Sequence, residues 1–270
     1  MSDPSRGIAM SEEEYTALDA IRASTVKTLA RSTLAHLRVD LSRPREDTDA
    51  FRVGRALHCA VLRPSDFAEE FAITPKCDRR TKAGREGHEA ACVAAEGRTL
   101  LAESDAHIVD SMTRSIRAHA SASRALDLCT VRERVFLGEI SGEKCKCRVD
   151  AAERGILLDL KTTISAAPHA FSRSVAEYGY ALQFAFYRAI LRQHGYTIDD
   201  CMIVAIEKSA PYAVACFRLR DEDLERADAV VRRLVGEIGD AQRTGVWSGY
   251  SPDVVDIALP DWAFRSEGME

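Results

Sequence analysis

Apolar and polar positions follow two different periods along this chain, and the switch between them divides it. Residues 48–62, TDAFRVGRALHCAVL, repeat their apolar positions at helical spacing, which puts Phe51, Gly54 and His58 on one face; Pro64 follows closely enough to end the helix. Upstream, the polar residues 1–20 are expected to be loosely ordered. The stretch 21–39, IRASTVKTLARSTLAHLRV, reads as a short amphipathic helix capped by Ser24 or Thr25, and Pro44 then breaks the chain. The alanine-rich region 86–128 predicts two helices with a break near Gly97 to Leu101. Beyond it the period changes to two. Residues 131–137 (VRERVFL), 144–151 (KCKCRVDA) and 156–161 (ILLDLK) are short, β-compatible and joined by glycine-containing turns, so they predict an antiparallel meander. A helix from Pro168 to about Arg192, strands at 201–207 and 212–219, and a last helix over roughly 221–243 complete the pattern.

That order, with no internal repeat and no low-complexity linker, favours a single α/β domain. Its expected parts are a mainly helical elaboration over 1–128, an αβ core over 129–245 and a tail over 246–270. The 270 residues, 46% hydrophobic and 29% charged, are enough for a sizeable core. No apolar run approaches the ~18 residues of a membrane span and no basic-plus-apolar leader is visible, so the expectation is a cytoplasmic protein with no membrane role. Eight cysteines without a CxxC pair make disulfides or a zinc ribbon poor readings and small core residues the better one. A net charge of −5 argues against a uniformly basic surface but leaves room for a local basic groove. Residues 76–88, KCDRRTKAGREGH, concentrate Lys76, Arg79, Arg80, Lys82 and Arg85 against Asp78 and Glu86. They make either a solvated loop or a set of phosphate contacts.

The chemistry lies in the meander. Strand alternation puts Cys145, Cys147 and Val149 on one face and Lys146, Arg148 and Asp150 on the other; in the next strand Leu157, Asp159 and Lys161 share a face. If the two strands pair through a turn at Glu153–Gly155, Asp150 and Asp159 converge within reach of one cation, with Lys161 beside them. Mg²⁺ takes such oxygen ligands together with water and substrate phosphate. A bound metal and a neighbouring ammonium would stabilise charge building on a phosphodiester under attack. Lys161 would act as a base if it lost its proton, or would stay charged and orient the water. Alone, Asp-x-Lys in a strand is more often a surface ion pair, but this run is too apolar for a solvated edge.

Three further features join the set. His58 is a candidate metal ligand, though a lone histidine on such a face is more often a satisfied core residue. Tyr180, Gln183 and Tyr187 form a helical stripe that either faces the strand ends or packs in the core. Thr162 and Thr163 offer hydroxyls to a phosphate or begin a turn. No P-loop, GxSxG, HExxH or GxGxxG pattern is present, and Cys145-x-Cys147 on an apolar face reads as inert thiols.

Together the opening SEEEYTALDAIRASTVKTLARSTLAHL (11–37), GRALHCAVLRP (54–64), DRRTKAGRE (78–86), CKCRVDA (145–151), LLDLKTT (157–163), EYGYALQFAFYRAIL (177–191) and LPDWA (259–263) resemble the PD-(D/E)xK nuclease superfamily. Within it they resemble the RecE-like, exonuclease VIII-type nuclease domain of phages and prophages. The resemblance spans nearly the whole chain. It implies a restriction-endonuclease-like α/β core with a mixed five-stranded sheet flanked by helices. It implies a metal site of His58, Asp150, Asp159 and the carbonyl of Leu160, with Mg²⁺ bound and Mn²⁺ as a substitute, and Glu133 as a further acid. Lys161 would serve the attacking water. Gln183 and Tyr187 would form the QxxxY element that abuts the site and contacts DNA, joined in DNA binding by Arg79, Arg80, Lys82, Arg85 and Thr162. The strand reads CRVD where the family would place Pro or a similar residue before the Asp, a position that is not a ligand. No cysteine quartet for an iron–sulfur cluster is present, which sets aside the cluster-bearing branches. The implied activity is an exonuclease working from double-strand DNA ends, 5′-to-3′, in phage recombination. It would act as a ring-shaped homo-oligomer partnered by a single-strand-annealing recombinase. Two rivals are an endonuclease with the same metal site and a DNA-binding protein on the scaffold that no longer cuts.

Overall fold

A computed structural model of the chain describes residues 6–43, 47–74 and 80–260. The N-terminal part runs α1 (Glu12–Ala17), β1 (Ile21–Arg22), α2 (Ala23–Leu29), α3 (Leu34–Ser42), α4 (Asp49–Leu62), α5 (Phe67–Glu70), β2 (Phe71–Thr74), α6 (Lys82–Ala94), β3 (Thr99–Ala102), α7 (Glu103–Ala118) and α8 (Ala120–Leu128). The core follows as β4 (Val131–Ile140), β5 (Glu143–Glu153), β6 (Gly155–Thr163), α9 (Pro168–Glu177), α10 (Tyr180–Gln193), β7 (Ile198–Glu207), β8 (Val214–Arg218) and α11 (Asp221–Thr244).

The main sheet is mixed, as expected, but has six strands rather than five. Its order is β1-β5-β6-β7-β8, with β4 paired to the other edge of β5. The extra strand is β1, whose two residues pair in parallel with Cys145 and Lys146, too short a run for alternation to reveal. It also moves the start of the next helix. β1 feeds directly into α2, whose N-cap is Arg22 with no side-chain cap bond, so Ser24 and Thr25 lie inside the helix and do not cap it. The β4–β5–β6 meander is antiparallel as predicted, and β6 runs parallel to β7, which requires the crossover through α9 and α10. The break near Gly97 is present but contains β3, which pairs in parallel with β2 as a small second sheet. The helix expected from Pro168 to Arg192 is two helices. Gly179, at φ +60°, breaks it, because few side chains tolerate the left-handed region.

Two apolar layers cover the sheet. Val26, Leu29, Phe184, Phe186, Val231 and Val235 pack on the face that carries Cys147, Val149 and Leu157. On the opposite face Leu57, Val61, Met112 and Ile116 pack against Leu158, Leu160, Val204 and Ile206. Alternation slips at one place in β5: Val149 and Ala152 both belong to the first layer, while Ala151 belongs to the second. Asp150 sits at that slip.

Candidate functional site

The site is built where β5 and β6 part. From the turn at Gly155 they pair at Glu153↔Ile156, Ala152↔Leu157 and Ala151↔Leu158, and there the ladder stops. The next opposed position brings Asp150 against Asp159. Instead of a ladder bond, the Leu160 N–H donates to Asp150 Oδ2 at 2.8 Å. On the other side of β5, Glu133 lies opposite Asp150, between the pairs Arg132↔Ala151 and Arg134↔Val149, with φ +48°. A left-handed non-glycine residue stores of order 1–2 kcal/mol of strain, which the surrounding sheet must hold. α4 supplies the third group: His58 Nδ1 lies 3.4 Å from Glu133 Oε1 and 3.6 Å from Asp150 Oδ2, while Nε2 meets the Leu160 carbonyl at 3.0 Å. Ligand atoms of His58, Glu133 and Asp150 all fall within 4.8 Å of one another.

Asp159 belongs to a second, adjoining set. It is only 3% exposed; Oδ1 accepts from Gln183 Nε2 at 2.6 Å and Oδ2 is ion-paired with Lys161. The Lys161 ammonium stands 5.1 Å from the centre of the Tyr180 ring, whose π-face favours a cation. The stripe Tyr180, Gln183, Tyr187 thus faces the strand ends, and all three line one large cleft of 2250 Å³ with His58, Glu133, Asp150 and Lys161.

The electrostatics are those of a crowded carboxylate site. Burial pushes the Asp150 carboxyl up, opposed by His58 and reinforced by Asp159. For His58 burial works against charge, but Asp150 and Glu133 outweigh it and push the imidazole up to about 9. Burial likewise opposes the Lys161 charge and is outweighed by Asp159, then Asp150, so its pKa is raised and the ammonium stays protonated. The carboxylates of Glu133 and Asp150, the His58 imidazole and the Leu160 carbonyl therefore gather at one point, with the buried Asp159–Lys161 pair beside them. That donor set suits a hard divalent cation.

The family model for a PDDEXK-like domain of unknown function (DUF3799) matches residues 23–255. The chain belongs to this family. Among solved structures, the crystal structure of a "putative exonuclease" from Eubacterium rectale matches this PDDEXK-like chain with a TM-score of 0.62 and 15% identity, covering 97% of it and 100% of the other chain. At that identity the likeness establishes the fold. No curated protein matches the chain. The PD-(D/E)xK resemblance read from the motifs and the mixed α/β architecture are thus both upheld.

Within the PDDEXK-like domain, the expected ligands His58 and Asp150 and the Leu160 carbonyl are brought together. Asp159 lies next to them and bonds to Lys161 and Gln183. Thr162 also lines the cleft. The described part of the basic stretch does not: Arg80, Lys82 and Arg85 are absent from its lining, Lys82 and Arg85 sit in the first turn of α6, and Lys76 and Arg79 lie outside the described residues. The cations that do line it are dispersed in sequence, among them Arg22, Lys27, Arg134 and Lys208, and no charge run announced them. Of the closing LPDWA, residues 261–263 lie outside the described residues. Cys145 and Cys147 are buried free thiols in the apolar layer, and burial pushes both upward in pKa, so they are inert as read. Among the described residues no helix is long and apolar enough to cross a membrane.

Proposed function

We propose that this protein is a divalent-metal-dependent deoxyribonuclease that hydrolyses phosphodiester bonds from double-strand DNA ends. The observation that carries this reading is the convergence of His58, Glu133 and Asp150 within 4.8 Å, next to the Asp159–Lys161 pair. The cleft around them, at 2250 Å³, exceeds the roughly 300–1,000 Å³ of a small-ligand pocket and suits a polymer. His58, Asp150, Asp159 and the Leu160 carbonyl would hold Mg²⁺, or Mn²⁺ in its place, with Glu133 as an added acid. When bound, the ion would supply Lewis acidity toward the phosphate and the attacking water. Lys161, held cationic by its two carboxylates, orients that water and offsets the charge that grows on the phosphate, in preference to acting as a base. Gln183 holds the Asp159 carboxylate in place. Tyr187 and Thr162 contact the DNA strand in the cleft, while Arg80, Lys82 and Arg85 contact duplex that extends beyond it, and Arg79 adds to the same phosphate binding.

Exonuclease mode, 5′-to-3′ direction, a DNA-enclosing homo-oligomer, a single-strand-annealing recombinase partner, cytoplasmic action and a role in phage recombination rest on the RecE-like resemblance. The test is digestion of end-labelled linear duplex and of covalently closed circles. Wild-type protein with Mg²⁺ should shorten the linear DNA and leave circles intact. EDTA, Asp159→Ala and Lys161→Ala should each abolish cleavage. Circles that are cut would make it an endonuclease, and linear duplex left whole under all divalent ions would end the nuclease reading.

A further inference from the structure

Lys27, on α2, was not among the expected site residues, yet it reaches the site. Its Nζ donates to Gln183 Oε1 at 3.0 Å, and the amide nitrogen of the same Gln183 donates to Asp159 Oδ1 at 2.6 Å. With an ammonium on one side and a carboxylate on the other, only one orientation of the amide satisfies both neighbours: oxygen toward Lys27, nitrogen toward Asp159. Gln183 is 7% exposed and Asp159 3%, and charge-assisted bonds in such buried surroundings are strong. The fold also prepares a slot for the lysine stem. A Cβ added at Gly179 would come 3.3 Å from Lys27 Cγ and 3.4 Å from Cδ, so the left-handed glycine that separates α9 from α10 also admits this side chain. The ammonium lies 5.7 Å from the centre of the Tyr180 ring, the same ring that Lys161 approaches at 5.1 Å.

From this geometry we infer that Lys27 is a positioning residue for the candidate active site, acting through the Gln183 amide to hold the Asp159 carboxylate in the orientation that ion binding and Lys161 require. The inference rests on the nuclease reading above and adds a residue to it. Lys27 also lines the cleft, so the rival role is direct contact with a DNA phosphate, and the two roles separate experimentally. Removing a group that bonds a metal ligand directly, as Gln183 does here, typically costs 10–100-fold in metal affinity or activity, and Lys27 acts on that same bond. A phosphate contact raises the DNA dissociation constant and lowers its salt dependence by about one charge.

The test compares wild-type protein with Lys27→Met, Lys27→Arg, Gln183→Ala and the Lys27→Met/Gln183→Ala double variant. Mn²⁺ affinity is measured by titration calorimetry without DNA, and kcat and KM on linear duplex; urea denaturation confirms that each variant is folded. Lys27→Met should weaken Mn²⁺ binding and lower kcat by 10-fold or more with KM within two-fold of wild type. Lys27→Arg, which can still donate to the amide oxygen, should recover much of both. Adding Lys27→Met to Gln183→Ala should produce no further loss, because the intermediary is already gone. Unchanged Mn²⁺ affinity with a raised KM, or losses that multiply in the double variant, would overturn the positioning role. If wild-type protein neither binds Mn²⁺ nor cuts DNA, the nuclease reading itself fails, an outcome distinct from either.

Discussion

Lys161→Met keeps most of the lysine stem and removes only the charge, so it isolates what the ammonium does for the buried Asp159. Removing one partner of a buried ion pair costs about 3–5 kcal/mol when the other charge is left uncompensated. Gln183 still donates to Oδ1 in the variant, and because a bond to a charged group contributes about 1.5–3 kcal/mol, the expected loss comes down to about 2 kcal/mol at pH 7. Urea denaturation in EDTA at pH 7 measures it, and added Mn²⁺ should shrink it by supplying the missing positive charge. No deficit, or one that Mn²⁺ leaves unchanged, would refute the view that Lys161 compensates a buried carboxylate.

The remaining expectations concern other parts of the molecule. Divalent-ion affinity should rise with pH up to about 9, because the ion must displace the proton that Asp150 and Glu133 hold on His58; calorimetry in buffers of different ionisation enthalpy should record proton release. Arg134→Ala and Lys208→Ala should each lower the slope of log affinity for duplex against log salt by about one, whereas slopes equal to wild type would place DNA elsewhere. Among the described cysteines, N-ethylmaleimide should modify exposed Cys92 first and half-buried Cys216 later, leaving Cys59, Cys129, Cys145, Cys147 and Cys201 unmodified until urea is added. Early labelling at Cys147, read by peptide mass spectrometry, would contradict the buried, inert thiols of the apolar layer.

The part of the site carried by one hairpin was legible. Asp150, Asp159 and Lys161 are separated by a tight turn, and antiparallel pairing through it fixes the two acids as opposed residues without reference to the rest of the chain. The stripe of Tyr180, Gln183 and Tyr187 was legible for the same reason, since helical spacing alone sets a shared face. Glu133 was visible only through resemblance. Its carboxylate enters because its backbone adopts φ +48° within β4, a conformation no alternation pattern encodes. Lys27 lay in an N-terminal stretch read only as helical and Lys208 in no motif, so neither single cation was marked for the site. The compact charge run at 76–88, by contrast, drew attention, yet its described residues lie away from the cleft.

By itself, then, the order of periodicities specified a helical front, a β-meander followed by a helix and two further strands, and the two acids and one amine on adjoining strands. These are local properties, set by side chains a few residues apart and by the geometry of one turn. Only the folded chain decided that His58 would meet Glu133, 75 positions away, that Leu160 would turn its N–H to Asp150 and its carbonyl to His58, and that Lys27 would reach Gln183 across 156 positions. Those contacts depend on how α2 and α4 dock on opposite faces of the sheet, and docking is settled by the summed burial of two apolar layers that no short stretch of sequence contains.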